Sequence, residues 1–170
     1  LSLILCLGLL AGCGSSSAND KTITYTGSDR AIDIPSNAAK VDVTISNLTV
    51  DCTASYCQRG INYNTTGKLI LDDVVVEGTN VTYALNLPGS SDNAVVTITD
   101  SNISGNIALN AWGANSTINA TNTTFTAVDN NTAEGYAAVK LNNDGTTSAE
   151  GTVITITGGK IDVTGSTCED

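Results

Sequence analysis

The chain has 170 residues, a formal net charge of −10 from 17 acidic and 7 basic residues, and no histidine. Phosphate backbones repel so acidic a chain, which argues against nucleic acid as a partner. The absence of histidine excludes every catalytic triad that uses an imidazole base. Hydrophobic residues make up 41% of the chain and aromatic residues only 4%, so we expect a core of aliphatic side chains.

Residues 1–10 form an almost unbroken apolar run. The run is too short to span a bilayer, which needs about 20 residues, but it has the length of a signal-peptide core. It leads into Leu10-Ala11-Gly12-Cys13, which resembles the lipobox of bacterial lipoproteins. The resemblance implies cleavage before Cys13 and a diacylglyceryl group on its thiol. An ordinary secretory signal with an incidental cysteine is the alternative.

The predicted organisation therefore has three parts. Residues 1–12 are a signal peptide truncated at its start, residues 13–21 are the lipidated cysteine with a flexible Gly-Ser tether, and residues 22–170 are the folded domain. Two or more acyl chains anchor a protein stably, so we expect a membrane partner through the lipid. The expected location is the cell envelope, at the outer membrane or cell surface where the cell has an outer membrane.

Two of the five cysteines, Cys52 and Cys57, flank a four-residue loop. In an oxidising compartment this spacing predicts a small disulfide-closed loop, with two free thiols as the alternative. Cys168 is left without an evident partner.

From about Thr22 onward, short alternating apolar runs rich in Val, Ile and Thr are separated by Gly, Asn, Asp and Ser, which predicts strands and turns. Five segments align with one another. An apolar residue stands at the start, two residues later and seven residues later, and a turn-forming residue stands four later. The segments start at Val43, Leu69, Val96, Ile118 and Ile154. The turn-forming residues are Asn47, Asp73, Asp100, Asn122 and Gly158. Since Asn, Asp and Gly tolerate a left-handed backbone, each segment predicts a strand, a tight bend and a second strand.

The five segments recur every 22 to 36 residues, in the range of a solenoid repeat with insertions. A further apolar run precedes each segment, giving about three strands per turn. Over roughly residues 22–165 the pattern resembles the right-handed parallel β-helix of pectin-lyase-like proteins, which implies an all-β solenoid of about five coils. A β-sandwich, which also needs many short strands, is the alternative. Residues 165–170 make a poor cap, which leaves open a continuation beyond residue 170.

Pectate lyases use clustered aspartates to bind calcium, and Asp73 and Asp100 fall one coil apart in the bend column. Carboxylate oxygens suit calcium, so these two residues are weak metal-site candidates. The alternative is that both are simply bend residues, because other repeats have Asn or Gly at the same position. We expect no cofactor.

Trp112, the single tryptophan, is a weak ligand-site candidate. It points outward if alternate residues of its strand point inward, and an exposed indole can stack on a sugar ring, with Tyr83 or Tyr136 nearby. The alternative is that the indole packs over a turn.

Outward Thr-x-Thr rows resemble those of ice-binding solenoids, which need a regular array on one face. Only Thr97-Ile98-Thr99 and Thr155-Ile156-Thr157 fit among the five segments, so the sequence disfavours this ligand.

We predict a non-enzymatic, surface-exposed lipoprotein that presents a β-helix for adhesion or surface interaction, with a polysaccharide or a surface protein as partner. The alternative is a carbohydrate-binding or degenerate polysaccharide-lyase-like protein. A lyase needs a basic residue to take a proton, and the two arginines, Arg30 and Arg59, lie in no coil beside Asp73 or Asp100.

Overall fold

The computed structural model describes residues 2–5, 21–36, 40–54, 56–128, 136–142 and 149–164. The predicted lipidation site at Cys13, most of the tether and Cys168 lie outside these residues. Within them the chain is all-β, as predicted, with one short 3-10 turn, η1, at Gly89–Ser91. The described strands are β1 (Ser2–Leu5), β2 (Lys21–Thr24), β3 (Arg30–Ile34), β4 (Asp42–Asp51), β5 (Cys57–Tyr63), β6 (Lys68–Glu77), β7 (Val81–Leu87), β8 (Val95–Thr99), β9 (Asn102–Gly105), β10 (Ile107–Ala111), β11 (Thr117–Thr121), β12 (Thr124–Val128), β13 (Ala137–Leu141), β14 (Val153–Thr157) and β15 (Lys160–Thr164).

All strand pairings between the described residues are parallel. The first sheet has the order β14-β11-β8-β6-β9-β12-β15, with β4 beside β6 and both β1 and β2 beside β4. The second sheet has the order β13-β10-β7-β5-β3. Two neighbouring parallel strands need a long connection between them, and here that connection includes a strand of the other sheet. Neighbouring strands in a sheet therefore come from successive sequence repeats.

The register of the predicted repeats is confirmed by the Cα pairing. The segment starts pair in one continuous column, Val43 with Leu69, then Val96, Ile118 and Ile154. The first four of these side chains are buried, and Ile154 is partly buried on the outermost strand. Aliphatic side chains therefore stack from repeat to repeat along the interior.

The predicted left-handed bends are also confirmed. The backbone φ angles are 52° at Asn47, 53° at Asp73, 48° at Asp100, 51° at Asn122 and 68° at Gly158. In β4 and β6 the strand continues through the bend, whereas the later repeats divide there into two strands. Each bend turns the chain so that the side chains on both sides of it reach the same core.

A second left-handed column lies two residues before β8, β11 and β14, and sequence analysis did not single it out. It consists of Asn93, Asn115 and Gly151, with φ angles of 60°, 53° and 72°. The backbone N–H of Asn93 donates to the Ala114 carbonyl at 2.8 Å, which links this bend to the next one.

The core is aliphatic, as the composition predicts, with Tyr63 and Phe125 as its largest fully buried side chains. Burial fails on the outermost strand β15, where Ile161 is 56% exposed and Val163 is 43% exposed although they pair with the buried Phe125 and Ala127. Strands β14 and β15 each have a sheet neighbour on one side only among the described strands, which explains the exposure.

Strand β1 falls within the predicted signal peptide. It pairs in parallel with β4, from Ser2 opposite Asp42 to Leu5 opposite Ile45. This pairing does not test cleavage before Cys13, which stays a prediction. The part of the chain that the structure describes contains no helix long and apolar enough to cross a membrane.

Candidate ligand-binding groove

A ladder of side-chain amides runs across the second sheet. Asn62 donates from Nδ2 to Asp33 Oδ1 at 2.6 Å, Asn86 donates to Asn62 Oδ1 at 2.7 Å, and Asn110 donates to Asn86 Oδ1 at 2.7 Å. Asn142 donates to Asn110 Oδ1. The four asparagines are between 1% and 8% exposed, so water hardly reaches their side chains. Each amide therefore depends on its neighbour in the ladder for hydrogen bonds.

Sequence analysis missed this ladder. The signal was present, because Asn62, Asn86 and Asn110 each stand in an apolar run and occupy matching positions of β5, β7 and β10. A buried amide that uses one N–H and one lone pair within the ladder keeps a second N–H and a second lone pair. The ladder is therefore both a structural element and a row of hydrogen-bonding groups.

An open cavity of about 160 Å³ lies over two rungs of the ladder. Its lining residues are Arg59, Tyr83, Asn86, Pro88, Gly89, Asn110 and Trp112. We call this cavity the groove. Amides, two aromatic rings and one guanidinium thus meet on one surface, while no carboxylate lines it.

The structure places Trp112 in the groove together with Tyr83, the first of the two aromatic neighbours that the sequence suggested. The Trp112 side chain is only partly buried. Its backbone N–H donates to the Leu87 carbonyl at 2.8 Å, which holds it beside β7. Tyr136, the second suggested neighbour, instead packs against the hydrophobic core.

The wall of the groove next to Trp112 is held by close backbone packing. A Cβ at Gly113 would lie 2.7 Å from the Ser91 carbonyl carbon, so only glycine fits after Trp112 without a shift. The Ser91 hydroxyl lies 2.9 Å from the Tyr63 carbonyl and 2.7 Å from the Pro88 carbonyl, and its single O–H is shared between these two acceptors. The η1 turn therefore has a defined position.

Arg59 supplies the positive charge of the groove. Its Nη1 donates to Gln58 Oε1 at 2.7 Å and lies 3.7 Å from Oδ1 of the exposed Asp29, and this partly exposed ion pair is weak. Its Nε is buried and has no hydrogen-bond partner in the described part of the protein. A guanidinium N–H that is buried without a partner is a group that a ligand oxygen can satisfy.

The two calcium candidates, Asp73 and Asp100, lie at successive bends of the first sheet, and neither lines the groove. Their left-handed backbones account for an aspartate at these positions without a metal. Asp100 Oδ1 accepts a hydrogen bond of 3.2 Å from Asn122. Within the described ranges, no three His, Cys, Asp or Glu residues cluster closely enough to hold a metal ion.

Cys52 and Cys57 are brought together, fully buried, as free thiols. A hydrogen bond from the Cys52 thiol lowers the pKa of Cys57. The same hydrogen bond and burial raise the pKa of Cys52. The structure thus places the two sulfur atoms in contact, and the disulfide between them stays a prediction.

No protein-family model matches the chain, and neither a curated protein nor a solved structure matches it. The function of the groove is therefore inferred from its own residues.

Proposed function

We propose that this chain is a non-enzymatic, lipid-anchored protein of the cell envelope, whose right-handed parallel β-helix adheres to an extended glycan through the groove. The observation that carries the proposal is the meeting of Trp112 and Tyr83 over the amides of Asn86 and Asn110. Surface adhesion and carbohydrate binding, which the sequence left as separate hypotheses, are then one activity.

Three observations support the β-helix of about five coils. The strand pairings are parallel, the core columns repeat in register, and the left-handed bends recur at one position of each repeat. A β-sandwich would instead pack two largely antiparallel sheets. Stacked coils form a stiff rod with a long lateral surface, which suits a ligand longer than one sugar.

Chemical complementarity supports a glycan as the ligand. The apolar faces of sugar rings pack on aromatic side chains, and sugar hydroxyls both donate to and accept from amides. Pockets that enclose a whole small ligand typically measure about 300–1,000 Å³. The groove, with about 160 Å³, would hold roughly one ring of a chain that extends past it.

The residue types in the groove support binding without catalysis. Glycosidases use two carboxylic acids on either side of the scissile bond. No Asp or Glu lines the groove, and the chain has no histidine to act as a base. Polysaccharide binding is therefore proposed without a hydrolytic or eliminative step.

A glycan array probed with the full chain tests this proposal. We expect binding to a polysaccharide that is lost in Trp112→Ala and kept in Tyr56→Ala, which removes an exposed aromatic ring outside the groove. Calcium and a chelator should leave binding unchanged, since no carboxylate lines the groove. A blank array, or equal binding by both variants, would contradict the glycan proposal and leave a protein partner to be sought.

The anchor has a separate test. The apolar run, the lipobox-like Leu10-Ala11-Gly12-Cys13 and the Gly-Ser segment after it support lipidation of Cys13. When the chain is expressed in bacteria, we expect Cys13→Ser to move the protein from the membrane fraction to the soluble fraction. A Ser17→Ala variant in the tether should fractionate as the original chain does. If Cys13→Ser stays with the membrane, the lipid anchor is wrong.

A further inference from the structure

The outward side of β8, β11 and β14 carries nine side chains, which we call the threonine face. The three strands pair without offset, so their outward residues form three straight rows. The rows are Val95-Thr117-Val153, Thr97-Asn119-Thr155 and Thr99-Thr121-Thr157. Neighbours within a row are about 4.7–4.9 Å apart, and the rows are about 6–7 Å apart along the strands.

The orientation of this face is fixed by the residues that alternate with it. Val96, Ile98, Ile118 and Ala120 are at most 1% exposed and belong to the core. Asn119, at the centre of the array, is exposed. Left-handed bends border the face at both ends of the strands.

The chemistry of the face differs from that of the rest of the protein. None of its nine residues is charged, although the chain has a net charge of −10, and none is aromatic. The uncharged array ends at β6, where Lys68 and Asp72 occupy the matching outward positions. Threonine presents a methyl group beside a hydroxyl, so the face alternates small apolar groups with hydrogen-bonding groups at a fixed repeat.

These properties select among ligands. An ion would meet no opposite charge, and a sugar lattice would meet no aromatic ring to stack on. An apolar partner would bury hydroxyls and an amide without hydrogen bonds, which is costly. Ordered water can bond the hydroxyls while lying against the methyl groups, and the oxygen lattice of ice repeats at a distance close to the strand spacing.

We infer that the threonine face binds the surface of ice. The Thr-x-Thr segments of β8 and β14 lie on either side of β11. The outward side chains of β11, Thr117, Asn119 and Thr121, complete the array between these two strands. Sequence comparison of one strand at a time undervalued the pattern, because it omitted the row Val95-Thr117-Val153. The inference is independent of the groove, which belongs to the other sheet.

Partitioning of the full chain into slowly growing ice tests the inference. We expect the protein to be enriched in the ice fraction and the Asn119→Lys variant to be excluded from it, because a long charged side chain in the centre prevents close contact. Asn102→Lys is the matched control, since Asn102 is also an exposed asparagine of the first sheet but lies beyond the Asp100 bend. That control should be enriched as the unmodified chain is.

The unmodified chain, Asn119→Lys and Asn102→Lys are first checked for equal thermal unfolding temperatures, so that a difference in ice binding does not reflect a loss of folding. If Asn119→Lys fails to fold, Thr155→Lys on the outermost strand replaces it. Exclusion of the unmodified chain from ice, or enrichment of the folded centre variant, overturns the inference. Retention on crystalline cellulose that Asn119→Lys abolishes, without enrichment in ice, overturns it in favour of a sugar lattice. None of these results changes the Trp112 experiment.

Discussion

The side-chain amide of Asn110 donates a hydrogen bond of 2.7 Å to the side-chain oxygen of Asn86, which lies 24 residues earlier in the chain. Asn86 donates in turn to Asn62, so its amide has a partner on each side. All three residues are at most 3% exposed. Each hydrogen bond joins successive repeats where little of the amides is exposed to water, so the ladder holds the second sheet in register.

Replacement of Asn86 by leucine should therefore be strongly destabilising. The variant leaves Asn62 Oδ1 and Asn110 Nδ2 without their partner, and an unsatisfied buried polar group costs about 1–3 kcal/mol. We expect the free energy of unfolding in urea to fall by at least about 2 kcal/mol. Asn119→Leu, at an exposed asparagine, should stay within about 0.5 kcal/mol of the original chain. Equal losses in the two variants would contradict the structural role of the ladder.

The bend column makes a prediction about Asp73, where backbone strain and calcium binding have opposite consequences. With φ at 53°, Asp73→Ala should cost about 1–2 kcal/mol, whereas Asp73→Gly should be close to neutral, since glycine has no Cβ to clash. Thermal unfolding with calcium and with a chelator checks this. If both variants lose the same stability, and calcium stabilises only the unmodified chain, then the carboxylate binds the metal and the bend explanation is insufficient.

The repeat pattern was predictable because a left-handed bend restricts the residue type locally. Asn47 and Gly158 stand at equivalent bends at opposite ends of the repeat array, and either residue satisfies the same backbone requirement. The aliphatic residues that flank each bend are dictated by the shared core. Register could therefore be read from single residues at fixed offsets.

The groove was less predictable because it depends on contacts between repeats. In the sequence alone, Asn86 is a polar residue inside an apolar run, and only its pairing with Asn62 and Asn110 explains its burial. Trp112 was identified for its rarity, but its proximity to Tyr83 depends on the pairing of β7 with β10 and on the backbone packing at Gly113. The secondary-structure propensities of single residues predict neither this strand pairing nor this backbone packing.

Tyr63 makes the chain sensitive to alkaline pH. Burial, with a smaller contribution from Asp42, raises the pKa of its phenol from 10.0 to about 12. Because the folded pKa lies above the unfolded one, the stabilisation is complete below pH 10 and is lost as the pH rises through 12. One pKa unit corresponds to about 1.4 kcal/mol, so the complete loss over the two units is on the order of 3 kcal/mol.

Tyr63→Phe should remove this part of the pH dependence. The variant also loses the hydrogen bond of 2.7 Å from the phenol to the Val41 carbonyl, so it should be less stable at neutral pH by about 1–3 kcal/mol. Urea unfolding at pH 8 and at successive values up to pH 12 should show a steeper decline for the original chain than for the variant. Parallel declines would show that Tyr63 does not ionise differently in the folded state.

Cys52 and Cys57 should form the predicted disulfide when oxidised glutathione is supplied. Cys57, whose pKa is lowered by the Cys52 thiol, attacks glutathione disulfide and releases one glutathione thiolate; deprotonated Cys52 then displaces the second glutathione. Closing so short a loop should stabilise the fold by about 2 kcal/mol in urea unfolding. Peptide mass spectrometry should show the loss of two hydrogens in the segment that contains Cys52 and Cys57 of the original chain. It should show a glutathione adduct on Cys57 in Cys52→Ser, which keeps a hydrogen-bond donor. If both residues are still alkylatable thiols after the unfolded chain has been refolded with oxidised glutathione, the disulfide prediction is wrong.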